Sequence, residues 1–165
     1  MTTTLENRPG AGGFATPSAD DLTIRFTVTK PPEAAYAAIL DVRHWWSENI
    51  EGDTDVLGAE WIFHNEPIHY SKFRTSELVP GKRVVWDVLD TEMSFIANQG
   101  EWIGHRIIFD IAPSAEGAEV TFTQVGLVPK LECYAICKSA WTGYITGSLR
   151  ALTLIEQGAP IRKAG

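Results

Sequence analysis

From Asp21 to Lys30 apolar and polar residues alternate strictly, with Leu22, Ile24, Phe26 and Val28 on one side and Thr23, Arg25, Thr27 and Thr29 on the other. This is the period of a half-buried strand. Pro31 and Pro32 stop it, and Pro32 can open a short helix through Leu40 whose inward positions are Tyr36, Ile39 and Leu40. A second helical turn is expected around Val42 to Trp46, and Gly52, Asp53, Asp55 and Gly58 mark the loop that follows. Strands are then predicted at Glu60 to His64, His69 to Leu78, Arg83 to Asp90, Glu101 to Ile111 and Ala118 to Val125. Turns at Glu66–Pro67, Pro80–Gly81 and residues 113–117 make neighbouring strands antiparallel.

The last long pattern runs from Leu131 to Gln157. At 100° per residue, Cys133, Cys137, Ala140, Trp141, Tyr144, Ser148, Ala151, Leu152 and Ile155 share one face, opposite Ser139, Thr142, Thr146, Arg150, Thr153 and Gln157. Pro129 precedes this amphipathic helix, Gly158 is its expected cap and Pro160 blocks continuation. At about 1.5 Å per residue it reaches roughly 40 Å, enough to cross a sheet of about seven strands. Helices segregated from a run of antiparallel strands make the fold α+β: a curved antiparallel sheet wrapped around a long C-terminal helix, with two short helices after the first strand.

Composition narrows the functional classes. The 165 residues carry a net charge of −7 with scattered basic residues, which leaves no stripe for a nucleic-acid backbone. No apolar run has the length of a membrane span. Residues 1–20 are poor in large apolar side chains and are expected to form a flexible tail, 21–160 the domain, and 161–165 a second tail. The N-terminus lacks an apolar leader, so a cytoplasmic location is expected. The Gly10–Gly13 run follows no strand and carries no phosphate-loop weight. Cys133 and Cys137, one helical turn apart, are expected as buried reduced thiols.

The candidate chemistry is sparse. His44, His64, His69 and His105 read as surface or turn histidines, because no third metal ligand accompanies any pair; no metal and no cofactor are expected. Glu101 and His105, four apart on a predicted strand, would stand about 13 Å from each other. Six tryptophans dominate the aromatic surface. Gly143 and Gly147 within the helix predict close approach of a strand or of the short helices there.

The element order, the HWW at 44–46, ELVPGKRVVW at 77–86, EWIGHRIIFDI at 101–111 and GLVPKLECYAICKSAWTGYITGSL at 126–149 resemble the START-like (SRPBCC) helix-grip superfamily. The resemblance is to the bacterial branch related to the activator of the ninety-kilodalton heat-shock protein ATPase. It implies a cavity between sheet and terminal helix that in various members holds apolar molecules, and in others a surface that binds a chaperone. The expected function is binding of a hydrophobic small molecule without catalysis, lined by Trp61, Phe63, Trp86, Phe109, Cys137, Trp141, Tyr144 and Ser148. The alternatives are a co-chaperone-like interaction module, whose partner is a chaperone or other protein, and a polyketide cyclase or aromatase-like enzyme. Neither nucleic acid nor membrane is an expected partner.

Overall fold

A computed structural model describes residues 13–163. Seven strands form one antiparallel sheet: β1 (Leu22–Val28), β2 (Ile50–Glu51), β3 (Glu60–Asn65), β4 (His69–Val79), β5 (Arg83–Met93), β6 (Arg106–Ser114) and β7 (Gly117–Val125). Their order is β1-β7-β6-β5-β4-β3-β2, a meander whose last strand returns to pair with the first. Two short helices, α1 (Pro32–Leu40) and α2 (Val42–Trp45), follow β1. The terminal helix α3 is continuous over 22 residues through three segments, α-helical at Tyr134–Thr142, π-helical at Gly143–Leu149 and α-helical at Arg150–Ile155. This is the curved-sheet and long-helix arrangement that the pattern predicts.

Alternation decides which side chains face the helix. Trp61 lies opposite Phe73, Phe73 opposite Val88, Val84 opposite Phe109 and Phe109 opposite Phe122, all buried on one sheet face. Two bulges, with Leu89 as the extra residue on β5 opposite Lys72 and Phe73 and Ser76 as the extra residue on β4 between Thr75 and Glu77, strengthen the local bend.

Four sequence expectations are corrected. Residues 101–104 are turns rather than the start of a strand, and β6 begins at Arg106. The reason is the Glu101 carboxylate, which accepts the backbone N–H groups of Glu132 (2.9 Å) and Cys133 (3.0 Å) where α3 begins, satisfying donors that a helix N-terminus leaves open. The helix ends at Glu156, in left-handed conformation at φ 59°, rather than being capped by Gly158. Gly158 instead passes so close to α2 that a Cβ would stand 2.3 Å from the His44 carbonyl oxygen.

The inward stripe of α3 also departs from a 100° wheel. Cys133, Cys137, Trp141, Ile145, Leu149 and Thr153 are buried, one in every four, while Ile155 is 67% exposed. In an α-helix a spacing of four drifts by about 40° each step; the wider turn of the π segment absorbs that drift and keeps the stripe on the sheet. Finally, Gly143 and Gly147 are approached by nothing: a Cβ at either would have no neighbour within 4 Å.

The ends of the described chain are tied to the domain. Ala15 N–H donates to the Gly104 carbonyl (2.9 Å), and the Arg106 guanidinium lies 4.7 Å over the Phe14 ring. Ile161 forms a bridge with Ser47, donating to Trp46 O and accepting from Glu48 N–H, and Arg162 pairs with Glu48 at 2.7 Å. The remainder of the two expected tails, residues 1–12 and 164–165, lies outside the described residues. No helix among the described residues is long and apolar enough to cross a membrane.

Candidate functional site

Between sheet and helix the interior is filled by a column of aromatic rings. Trp46, delivered by the end of α2, lies against Phe63 with centroids 4.2 Å apart and planes within 9°, and is 5.0 Å from Trp141 and 6.1 Å from Trp86. Trp86 in turn meets Trp61 at 4.9 Å and Phe109 at 5.0 Å. Trp46 therefore occupies the space that would otherwise join the two halves of the interior.

On one side of Trp46 a cavity of about 130 Å³ remains. Its walls are Trp46, Phe63 and His69 from the sheet side, Phe95 and Trp102 from the loop after β5, and Cys137, Trp141 and Tyr144 from the helix. Asn65, Ile68, Ile136 and Ala140 complete it. Ile68 and Ile136 are about half exposed, at 48% and 53%, so the cavity opens to solvent at that rim. No Lys, Arg, Asp or Glu is among these residues.

Of the eight lining residues expected from sequence, Phe63, Cys137, Trp141 and Tyr144 meet at this cavity. Trp61, Trp86 and Phe109 lie in the packed interior beyond Trp46, with Trp61 donating its indole N–H to Thr75 Oγ1 at 3.0 Å. Ser148 is spent on the backbone: its hydroxyl donates to the Trp45 carbonyl at 2.7 Å and accepts from Ala159 N–H at 2.7 Å. His69 could have been found from alternation, since it shares its strand face with the buried Ser71 and Phe73. Phe95 and Trp102 come from a loop with no period to read.

His69 and His105 are not surface histidines. Burial drives both rings to about pH 4, so each is neutral near pH 7. Their tautomers follow from their partners. Thr91 Oγ1 donates to the Tyr70 carbonyl (3.0 Å), so Ser71 must supply the hydrogen of the 2.8 Å Ser71–Thr91 bond. Ser71 has then used its only proton, and the 2.8 Å bond to His69 must run from His69 Nε2–H to Ser71 Oγ. His69 Nδ1 thus keeps an unprotonated lone pair. In the second network the Trp141 indole N–H donates to Gln124 Oε1 (2.8 Å), which leaves the Gln124 amide NH₂ to donate to His105 Nδ1 (3.0 Å).

The remaining candidates are settled by position. His64 points away from the cavity and pairs with Glu51 at 2.9 Å. No three His, Cys, Asp or Glu side chains among the described residues group as a metal site. Cys133 and Cys137 are free and buried, and the Cys133 thiol is held well above its usual range by its hydrogen bond with Cys137 and by burial. Burial also raises the Tyr144 phenol.

No protein-family model and no curated protein matches the chain. Solved structures do. The solution structure of the Aha1 dimer from Colwellia psychrerythraea superposes with TM-score 0.68 at 23% identity, over 84% of this chain and 98% of that one. The protein SSP2350 from Staphylococcus saprophyticus gives 0.63 at 14% identity, over 84% and 95%. DynU16, from the dynemicin biosynthetic locus, gives 0.56 at 14% identity, over 78% of this chain and 45% of that one. At such identities the likeness is one of architecture, and it carries the resemblance read from the sequence to this conclusion: the chain is a helix-grip protein in fold, sharing its sheet and terminal helix with an Aha1 protein.

Proposed function

We propose that the protein binds a small apolar molecule, without converting it, in the cavity between Trp46, the loop after β5 and the first half of α3. One observation carries this reading: where the rest of the interior is closed by stacked rings, a space of about 130 Å³ is left beside Trp46 and reaches the surface at Ile68 and Ile136. Water in so apolar a space forms few hydrogen bonds with its walls, and an apolar guest that displaces it gains dispersion contacts and buries apolar surface. Titration with toluene, followed by the NMR signals of the indole N–H groups, tests it. Shifts at Trp46, Trp102 and Trp141 without shifts at Trp61 are expected, and their disappearance in Ala140→Phe, which closes the rim. Unchanged spectra up to the aqueous solubility of toluene would refute the reading.

A second reading, an interaction module with a protein partner, draws on the outer side of α3. Ile136 and Ile155, 53% and 67% exposed, flank the exposed Ala140, Gly143 and Gly147. Ile155→Lys is expected to abolish association with a partner protein on this reading and to leave toluene binding intact.

A further inference from the structure

Resting on the cavity reading above, the geometry points to the class of guest: we propose that the cavity takes a neutral single-ring aromatic alcohol, a phenol, whose hydroxyl donates a hydrogen bond to His69 Nδ1.

Three observations lead there. The first is size. An enclosed cavity of about 150 Å³ lined by apolar side chains holds benzene; the one here is smaller, about 130 Å³, but open at its rim, which limits the guest to one ring. Phe63, Trp102 and Trp141 are aromatic walls of that space, against which a ring can stack or set its edge. The open rim at Ile68 and Ile136 lets a substituent run outward.

The second is charge. The lining holds neither cation nor anion, so a carboxylate or an ammonium group on the guest would be desolvated without a counter-charge. The guest's polar end is therefore neutral.

The third is the direction of the hydrogen bonds. The relay from His69 through Ser71 and Thr91 ends on the Tyr70 carbonyl, which can only accept, so every proton in it points away from the cavity. Ser71 and Thr91 are 0% and 2% exposed, and water does not reverse them. His69 Nδ1 has no partner among the described residues, yet it is not one of the sealed unpaired atoms, which are the indole nitrogens of Trp46, Trp86 and Trp102. The His69 ring is held edge-to-face against Phe63 (5.0 Å) and Trp102 (4.8 Å), two other walls of the same cavity. The other polar side chains of the wall, the Asn65 amide and the Tyr144 hydroxyl, can each donate or accept, whereas this accessible nitrogen of fixed tautomer only accepts, and so it selects a guest that brings a donor. A phenol does so; toluene has the same shape without the O–H, and anisole keeps the oxygen but lacks the hydrogen.

Dissociation constants of phenol, toluene and anisole, measured by calorimetry at neutral pH on the full chain and on His69→Phe, test this. Phenol is expected to bind the wild type about fivefold or more tighter than either analogue, the worth of one net hydrogen bond. In His69→Phe that advantage is expected to vanish while toluene still binds. Without a partner, desolvation of the hydroxyl would make phenol the weaker guest. Phenol binding no tighter than toluene overturns the role of His69 and leaves the cavity reading standing, whereas failure of all three compounds overturns both. The wild-type comparison decides the matter even if His69→Phe does not fold.

Discussion

Trp141 on the terminal helix donates its indole N–H to Gln124 Oε1 on β7 at 2.8 Å, and through that single amide it fixes which ring nitrogen of His105, on the same helix-facing side of the sheet, carries the proton. All three side chains are buried, with Gln124 at 0% exposure. Replacing Gln124 by Leu strands an indole N–H and an imidazole nitrogen in the interior. We expect a loss of about 2 kcal/mol or more in urea unfolding. Because Trp141→Phe removes the same bond, the double variant should cost less than the two single losses added, the signature of a shared network.

Stability should fall as the medium is acidified from about pH 6.5 towards 4. Burial lowers the folded-state pKa of both His69 and His105 from 6.5 to about 4. Above pH 6.5 both folded and unfolded chains are neutral at these sites and the stabilisation is fully present. Between 6.5 and 4 only the unfolded chain takes up protons, so stability is lost as pH falls through that window. For His105 the full loss is about 3 kcal/mol, with His69 adding in the same direction. Denaturant midpoints across this range check it, and a flat profile would mean that the two rings are not kept neutral by burial.

Two glycines should respond oppositely to a methyl group. At Gly126, φ is +104° and a Cβ would lie 2.4 Å from His105 Cδ2, so Gly126→Ala should destabilise by more than about 1 kcal/mol. At Gly143 the backbone is helical and the space is open, so Gly143→Ala should stabilise by up to about 1 kcal/mol. Melting temperatures of the two variants, moving apart from the wild type, are the readout.

Glu101 should matter more than its position in a loop suggests. Burial works against its charge, but the backbone N–H groups of Cys133 and Glu132 outweigh this and hold its pKa below the usual carboxylate value. Its contribution is present above the unfolded pKa and is lost as pH falls through the folded one. Glu101→Ala should cost about 1 kcal/mol, as loss of a helix cap does, and should speed amide exchange at Glu132 and Cys133 before it does so in the sheet.

The sheet was legible because each strand buries one face, and period two is then written into the sequence: Leu22 to Val28, Ile107 to Ile111 and Val120 to Phe122 all fall as the alternation requires. The two-residue β2 carries no period and went unread. The helix was legible in extent but not in rotation, because a wheel drawn at one fixed angle cannot anticipate the π turn at Gly143–Leu149. Four of the twelve residues around the candidate cavity, Phe63, Cys137, Trp141 and Tyr144, were among the eight expected from the sequence. Trp46 was not, although the tryptophan pair was plain, because which ring closes a core depends on how α2 meets the sheet. The burial of His105 and the partial burial of His69 were missed for a related reason: an imidazole can leave the surface when a neighbour satisfies one of its nitrogens, and those neighbours, Gln124 and Ser71, are distant or unremarkable in sequence.

The aromatic column has an optical consequence. Trp45 meets Trp46 and Trp86 at 6.4 Å, Trp46 meets Trp61 at 6.4 Å and Trp141 at 5.0 Å, and Trp141 meets Trp102 at 6.1 Å. Every tryptophan of the chain is thus linked to every other through near neighbours, and excitation absorbed by any one of them can migrate among all six before it is emitted. The protein should fluoresce as one antenna with depolarised emission, and a single quenching guest beside Trp46 should darken the whole of it.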